Sequence, residues 1–315
     1  MKDSCIGFIG LGNVGEKVAN NILKSKHNLF IYDKNIKKGK KLIKNGAEWC
    51  NSLSEIASKS TIIITCLPSP IAVSEVLNNI LPHLNKKHLW IEMSTTDESE
   101  MIQLSNLCLA KKVQTLEAPL TGGQHRAESG NIAILVGGSK KNFNRAFPIL
   151  SLIGYEILHC GKIGNASTLK VVTNYLASIN LLALGEALMV CKKYGLSLNT
   201  AFHGIRISSG NSFVNETETK VILSGSYNVG FTMDLVCKDV ALFDKLTDKF
   251  TIPAEISKLM NKTFSKGKKK YGDRSLSTSI VKLIEESCKE NLRAKGFPKE
   301  LIDLNKKKKG IEIKI

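Results

Sequence analysis

Arginine is scarce in this chain. Of 45 basic residues only Arg126, Arg145, Arg206, Arg274 and Arg293 are Arg, and the other forty are Lys, scattered from Lys2 to Lys314. The formal net charge of +17 invites a nucleic-acid reading, but groove readers lean on Arg, whose planar fork pairs bidentately with guanine and phosphate. A diffuse lysine excess raises solubility and general attraction for anions, so no specific nucleic-acid partner is expected. There is also no CxxC and no close pair among the eight cysteines at 5, 50, 66, 108, 160, 191, 237 and 288. That spacing excludes a disulfide framework and a zinc site, and points to a reducing, cytoplasmic compartment. Proline is sparse (7) and the hydrophobic share is 43%, which excludes a disordered chain. No long stretch is free of polar residues: the most membrane-like one, 171–191, contains Asn174, Asn180 and Glu186 and follows Lys170. A buried helix between domains is expected there, and no membrane partner. The first strand is expected by residue 5, leaving no room for a targeting segment.

What is present is an alternation. Short apolar runs at 5–9, 29–33, 61–66, 89–93, 115–118 and 133–137 are separated by helical spacings such as Val14, Val18 and Ile22. Strand–helix alternation of this kind predicts a doubly wound parallel sheet. After residue 164 the strand-like runs stop. A long apolar helix is expected over 167–194, stopped by Gly195, with further helices at 197–208, 233–249, 253–266 and 277–295. The expected fold is α/β: a Rossmann-type domain at 1–164, then an all-α C-terminal domain at 165–297 joined by a long interdomain helix. A frayed basic tail is expected at 298–315.

The N-terminal run leads into Gly10-Leu11-Gly12-Asn13-Val14-Gly15, a GxGxxG that follows a strand and opens an amphipathic helix. Gly10 permits the tight turn and Gly12 lets backbone approach a pyrophosphate. Gly15 lets helix and strand pack closely, and the helix start supplies oriented N–H groups for the anion. A second strand ends in Asp33, 18 residues after Gly15. Its carboxylate suits the adenosine ribose hydroxyls and repels a 2′-phosphate, which favours NAD over NADP, although Lys34 and Lys37 stand close by.

Three further segments carry chemistry: Glu117-Ala118-Pro119-Leu120-Thr121-Gly122-Gly123 with Leu135-Val136-Gly137-Gly138 behind it; Gly161-Lys162-Ile163-Gly164 leading to Lys170 and Asn174; and Phe231 to Asp239. With GFIGLGNVG at 7–15, Leu67-Pro68 and Met93-Ser94-Thr95, they resemble the β-hydroxyacid dehydrogenase family, in its order and spacing, from about residue 5 to 295. The resemblance implies that Lys170 is the catalytic lysine and Asn174 a substrate-orienting amide, one helical turn apart on one face. It implies that Thr121, Gly122 and Gly123 form the loop whose backbone holds a substrate carboxylate. It also implies cofactor contacts at Leu67, Pro68, Thr95, Phe231, Lys238 and Asp239, and assembly as a homodimer or homotetramer. The implied reaction exchanges hydride with NAD while Lys170 moves the proton at the substrate oxygen. Such a lysine works near neutral pH when burial and a neighbouring positive nicotinamide lower its pKa. The implied substrate is a small β-hydroxy acid of the 3-hydroxyisobutyrate type. Reductases of glyoxylate, succinic semialdehyde or tartronate semialdehyde form the alternative, and a non-catalytic interaction module a more distant one.

Several positions depart from the family pattern. Thr121 stands where Ser is usual, Arg126 where Gly is common, Ala166 replaces a glycine, and Thr173 stands where many members have Asn. Arg126 beside a carboxylate-binding loop could pair with a second acidic group on the substrate; the alternative is that it points into solvent. His125, His159 and His203 lack a ligand or triad arrangement and read as structural, and no metal is expected.

Overall fold

The computed structural model describes residues 4–315, so residues 1–3 of the expected first domain lie outside it. In chain order the elements are β1 (Cys5–Ile9), α1 (Gly15–Leu23), β2 (Asn28–Tyr32), α2 (Lys40–Lys44), β3 (Glu48–Trp49), α3 (Leu53–Lys59), β4 (Ile62–Thr65) and α4 (Pro70–Ile80). Then follow β5 (Leu89–Glu92), α5 (Glu98–Ala110), β6 (Gln114–Glu117), β7 (Leu120–Thr121), α6 (Gly123–Ser129), β8 (Ile132–Val136), α7 (Lys140–Ile153) and β9 (Gly154–His159). The helical part comprises α8 (Asn165–Tyr194), α9 (Leu198–Arg206), α10 (Phe213–Ser224), α11 (Met233–Lys249), α12 (Glu255–Tyr271) and α13 (Lys282–Cys288), and the chain closes with β10 (Ile311–Ile313).

The described residues divide into two compact units, 4–170 with 303–315 and 171–302. In the first, six strands pair in the order β3-β2-β1-β4-β5-β6, all parallel. The strands read as continuous apolar runs because both faces are covered. Ile6, Phe8, Ile62, Ile64, Leu89 and Ile91 face a core shared with α1 and α7. Their neighbours Ile9, Ile63 and Trp90 face the core under α3, α4 and α5. The strand order reverses between β1 and β4, and ligands of open α/β sheets bind where the order reverses, beyond the strands' C-terminal ends. The turns after β1 and β4 carry Gly10 and Leu67.

Five of the six apolar runs lie in this sheet. The sixth, at 133–137, belongs instead to a second sheet of order β10-β9-β8-β7, in which β7 and β8 are antiparallel while β8, β9 and β10 run parallel. Burial alone does not say which sheet an apolar run joins; strand pairing does.

The end of the chain is also corrected. Residues 303–315 are no frayed tail: Ile311–Ile313 pairs in parallel with β9, Ile311 opposite Glu156. Ahead of it, the Asp303 carboxylate accepts from Ser129 Oγ at 2.6 Å and Asn131 Nδ2 at 3.0 Å, and Lys308 N donates to Asn131 Oδ1 at 2.8 Å. The lysine run hides this because its partners lie about 170 residues upstream.

The second unit is all-helical, around a core that includes Leu184, Leu188, Phe202, Ile222, Met233, Met260 and Phe264. One of its helices, α10, goes beyond the helices expected from the sequence. Its Asn, Thr and Glu residues blur the apolar spacing, though Ser212, which accepts from Asn215 N, and the left-handed Gly225 mark its two ends. The helix expected over 277–295 is a 3-10 turn (Ser277–Val281) followed by α13, which ends at Lys289 with φ +53°. There the buried Glu285 accepts from Leu292 N at 2.7 Å and Arg293 at 2.8 Å, reversing the chain.

Helix α8 begins in the first unit and continues into the second. It is long and apolar enough to cross a membrane by length and composition, with a third of its most apolar stretch buried. It is thus less covered than a core helix: Leu176 is 50% and Val190 69% exposed.

Candidate active site

The glycine loop has the geometry its sequence predicts. Gly10 takes φ +98°, and a Cβ there would lie 2.4 Å from the Cys66 carbonyl oxygen, so only glycine fits between β1 and β4. A Cβ on Gly15 would meet the Gly10 carbonyl at 2.1 Å, which is what lets α1 start directly above the strand. At Gly12, by contrast, nothing lies within 4 Å of the added carbon. Open space beside backbone, at the start of a helix whose N-cap makes no side-chain hydrogen bond, fits a dinucleotide pyrophosphate. Val14 is half-buried there and Asn13 exposed.

Asp33 directly follows β2, its carboxylate oxygens accepting from Leu11 N at 2.8 Å and Asn35 N at 2.9 Å, with the Lys38 ammonium 3.5 Å away. The acid therefore ties its own turn to the glycine loop. Beside it opens a cavity of about 410 Å³ lined by Tyr32, Lys34, Leu53, Glu75 and Val76. Lys38 thus joins Lys34 and Lys37 as a cation near this acid, because the 3-10 turn after Asp33 brings it within reach.

At the ends of β4 and β5 the Leu67 amide donates to Ser94 Oγ at 2.7 Å. Leu67 Cδ2 lies 2.9 Å from where a Cβ would stand on Gly10, so Leu67 and the glycine loop share one wall. Pro68 is exposed and Thr95 half-buried beside it. Beneath them Glu92 is fully buried. Its oxygens accept from the Ser94 amide at 2.5 Å and from the Thr65 hydroxyl, which itself accepts from Trp90 Nε1 at 2.9 Å. Burial, opposed by these bonds, pushes the Glu92 carboxyl up to about 7.

After β6 the chain enters the Thr121–Gly123 loop. Gly122 and Gly123 adopt φ +117° and +84°, a turn that side chains resist. Thr121 is held by pairing with Ala133 of β8. Arg126 is half-buried and folds back: its Cδ lies 3.0 Å and its Nη1 3.8 Å from the Cβ position of Gly122. It does not simply point into solvent. Asn21 of α1 donates to the Ala127 carbonyl at 2.7 Å, fastening the helix after the glycine loop to the helix after this one.

Lys170 is 8% exposed and lies in the second turn of α8, with Asn174 one turn further on. In the helical unit the Asn174 amide donates to Asp239 Oδ2 at 2.5 Å, and the Lys238 ammonium lies 2.6 Å from Asp239 Oδ1. Asn174, Lys238 and Asp239 are therefore one cluster, with a buried carboxylate holding the amide. Phe231 packs against the helical core and its carbonyl accepts from Ser277 N at 2.8 Å. His159 bonds the Gly138 carbonyl at 2.9 Å, a structural role. Among the described residues, no three His, Cys, Asp or Glu side chains are grouped to hold a metal.

Glu117 has a place in the site that its motif does not announce. Its carboxylate accepts from Gly164 N at 2.7 Å, Ala166 N at 3.0 Å, Ser167 N at 3.2 Å and the Ser167 hydroxyl, so it caps α8 from a distant strand. The one signal in the sequence is an acid at the end of a buried strand.

A nucleotide-type sheet followed by a helical unit, with a buried lysine near the start of the long helix, defines a dinucleotide-dependent oxidoreductase. The comparisons with known proteins agree. Residues 5–161 match the family described as the NAD binding domain of 6-phosphogluconate dehydrogenase. Residues 164–284 match the NAD-binding region of NADP-dependent 3-hydroxyisobutyrate dehydrogenase. The chain is 31% identical to 2-(hydroxymethyl)glutarate dehydrogenase of Eubacterium barkeri, covering 89% of this chain and 95% of that one. It is 30% identical to mitochondrial 3-hydroxyisobutyrate dehydrogenase of Mus musculus, over 89% and 87%. Among solved structures, Mycobacterium tuberculosis 3-hydroxyisobutyrate dehydrogenase with L-serine superposes with a TM-score of 0.81 at 23% identity, over 90% of this chain and 99% of that one. The chain belongs to the β-hydroxyacid dehydrogenase family, alongside the 3-hydroxyisobutyrate dehydrogenases. It is an NAD(P)-dependent oxidoreductase acting on small hydroxy acids.

Proposed function

We propose that this chain is an NAD-dependent dehydrogenase interconverting a small β-hydroxy acid of the 3-hydroxyisobutyrate type and its semialdehyde. The observation that carries this reading is Lys170, a lysine only 8% exposed near the start of α8. Lysine is rarely buried without a task. In this reading the bound nicotinamide supplies the hydride exchange at the carbinol carbon. Lys170 takes the hydroxyl proton during oxidation and returns it during reduction. Asn174, held by Asp239, orients the substrate, and the Gly122–Gly123 backbone binds its carboxylate, which is a contribution of positioning. The Asp33 carboxylate, which suits ribose hydroxyls and repels a 2′-phosphate, favours NAD over NADP, with Lys34 and Lys38 tempering the preference. Phe231 and Lys238 are further cofactor contacts implied by the family resemblance.

A panel of small hydroxy acids read by NADH formation tests this. Lys170→Ala is expected to lose about 10²- to 10⁴-fold in kcat; near-normal turnover on every substrate would sink the assignment. Asp33→Ala is expected to narrow the ratio of NAD to NADP efficiency, and an unchanged ratio would remove Asp33 from the argument.

A second reading has its own observation. Arg126 lies along Gly122, where a guanidinium can pair with another carboxylate, and one relative is named for the dicarboxylic 2-(hydroxymethyl)glutarate. Under this reading the substrate has two acidic groups. Arg126→Gln then raises KM for 2-(hydroxymethyl)glutarate by about tenfold or more, a charge-assisted bond's worth, while KM for 3-hydroxyisobutyrate stays level.

The exposed apolar residues of α8 support assembly as a homodimer or homotetramer. The eight free thiols support a reducing, cytoplasmic setting, and the lysine excess is read as solubility rather than nucleic-acid or membrane binding.

A further inference from the structure

We propose that Glu117 is the positioning residue of this site: one buried carboxylate that holds the Lys170 helix and the carboxylate-binding loop in a common frame. The inference rests on the catalytic reading of Lys170 given above.

Every helix begins with N–H groups that have no partner within it, and a local Ser, Thr, Asp or Asn usually answers one of them. Helix α8 begins instead after Gly164, which has no side chain to offer. The N–H of Gly164, just ahead of it, and those of Ala166 and Ser167 in its first turn all donate to Glu117, 47 to 50 residues earlier in the chain. The Ser167 hydroxyl donates as well, and Ser167 lies one turn before Lys170. Sliding or fraying of that first turn would have to break bonds to a carboxylate that is fully buried.

The other side of Glu117 is just as constrained. Its N–H donates to the Gly137 carbonyl at 3.1 Å and its carbonyl accepts from Gly137 N at 3.0 Å, so the residue bridges the two sheets. A Cβ on Gly137 would fall 2.1 Å from Glu117 Oε1, so the contact leaves no room for adjustment. Four residues later Thr121 is pinned to β8 and the Gly122–Gly123 turn begins. The same first turn of α8 also touches the cofactor wall, with Ser167 Oγ 3.4 Å from Thr96 Oγ1, next to Thr95. Proton-transferring lysine, carboxylate loop and cofactor wall are thus referred to one another through Glu117 and Ser167. A displacement of about 1 Å in such a frame costs on the order of 10²-fold in rate.

The test compares Glu117→Gln, Ser167→Ala and Lys170→Ala on 3-hydroxyisobutyrate and 2-(hydroxymethyl)glutarate with NAD, using substrate deuterated at the carbinol carbon. Glu117→Gln keeps the size but points an amide N–H at groups that need an acceptor. It is expected to lower kcat by about 10²-fold, to change KM for NAD little, and to raise the primary deuterium isotope effect on kcat as hydride transfer becomes slower than product release. A residue needed only for folding would lower the amount of active enzyme and leave the isotope effect of the remainder unchanged. Should Glu117→Gln not yield folded protein, Ser167→Ala decides. A loss in kcat of about three- to fivefold with a raised isotope effect supports the role, and wild-type values of both overturn it. If Lys170→Ala is inactive while Glu117→Gln keeps wild-type kcat and isotope effect, the positioning role is wrong and the functional reading stands. If Lys170→Ala keeps wild-type turnover, or the unaltered protein oxidises neither probe, both are wrong.

Discussion

Glu92 and Glu117 stand opposite each other on neighbouring parallel strands, at the last positions of β5 and β6. Both are fully buried, yet their surroundings differ. Glu92 has the Ser94 amide and the Thr65 hydroxyl; Glu117 has three amides at a helix start and a hydroxyl. Burial pushes the carboxyl up in both places. At Glu117 it is opposed by more donors and by a helix dipole whose positive end favours the anion. The same residue type in the same register therefore caps a helix in one corner and closes a strand-end network in the next.

The largest expected effect breaks the cap. Glu117→Ala leaves three amides at the start of α8 without their buried acceptor and should cost about 4 kcal/mol in stability, measured by denaturant unfolding. A loss below about 1 kcal/mol would show that water replaces the carboxylate.

The neighbouring acid should respond to pH rather than to loss of charge. With its carboxyl raised from 4.5 to about 7, Glu92 takes up a proton on folding between those values. Stability contributed by the neutral acid is complete below pH 4.5 and falls as pH rises toward 7. Glu92→Gln, neutral throughout, should therefore gain on the unaltered protein by up to about 3 kcal/mol between pH 5 and pH 8. Parallel stability curves for the two proteins across that range would refute the titration.

A third carboxylate sharpens the contrast in the helical unit. Asp239 holds both the Asn174 amide and the Lys238 ammonium, so Asp239→Asn should reduce kcat about tenfold with little change in unfolding midpoint. Smallest is the C-terminal latch. Burial works to raise the Asp303 carboxyl, but bonds from Ser129, Asn131 and Asn305 outweigh it and hold the group well below the usual range. Its contribution is present above the unfolded pKa and fades as pH falls through the acid range. Asn131→Ala, which removes a partner of both Asp303 and Lys308, should cost about 1 kcal/mol near neutral pH, read as a lowered Tm.

Much of the fold and the glycine loop of the candidate site are legible in the amino-acid order. Runs such as 5–9, 61–66 and 89–93 are legible because strands buried on both faces must be apolar throughout. The glycine loop is legible because its constraints are local: a turn, a close approach and a helix start within six residues. Helix α10, the second sheet and the return of 303–315 to the first unit are not. The polar composition of α10 hides its apolar face, while the other two depend on partners far away in the chain, such as β9 for Ile311 or Ser129 for Asp303.

The amino-acid order by itself determined the class: a nucleotide-type α/β domain, an all-α successor, Asp33 after the glycine loop and a lysine–asparagine pair one helical turn apart. The two domains and the glycine loop follow from periodicity and from glycines that only one backbone geometry explains, whereas the lysine–asparagine pair stands out by resemblance to the family. Tertiary structure alone decided what each polar side chain is committed to. It joined Asp239 to Asn174 and folded Arg126 along Gly122. It also made Glu117, one acid among 28 acidic residues, the cap of a helix that begins some 50 residues later. Hydrogen bonds and buried charges are satisfied by whatever the fold brings within about 3 Å, and sequence distance places no limit on that.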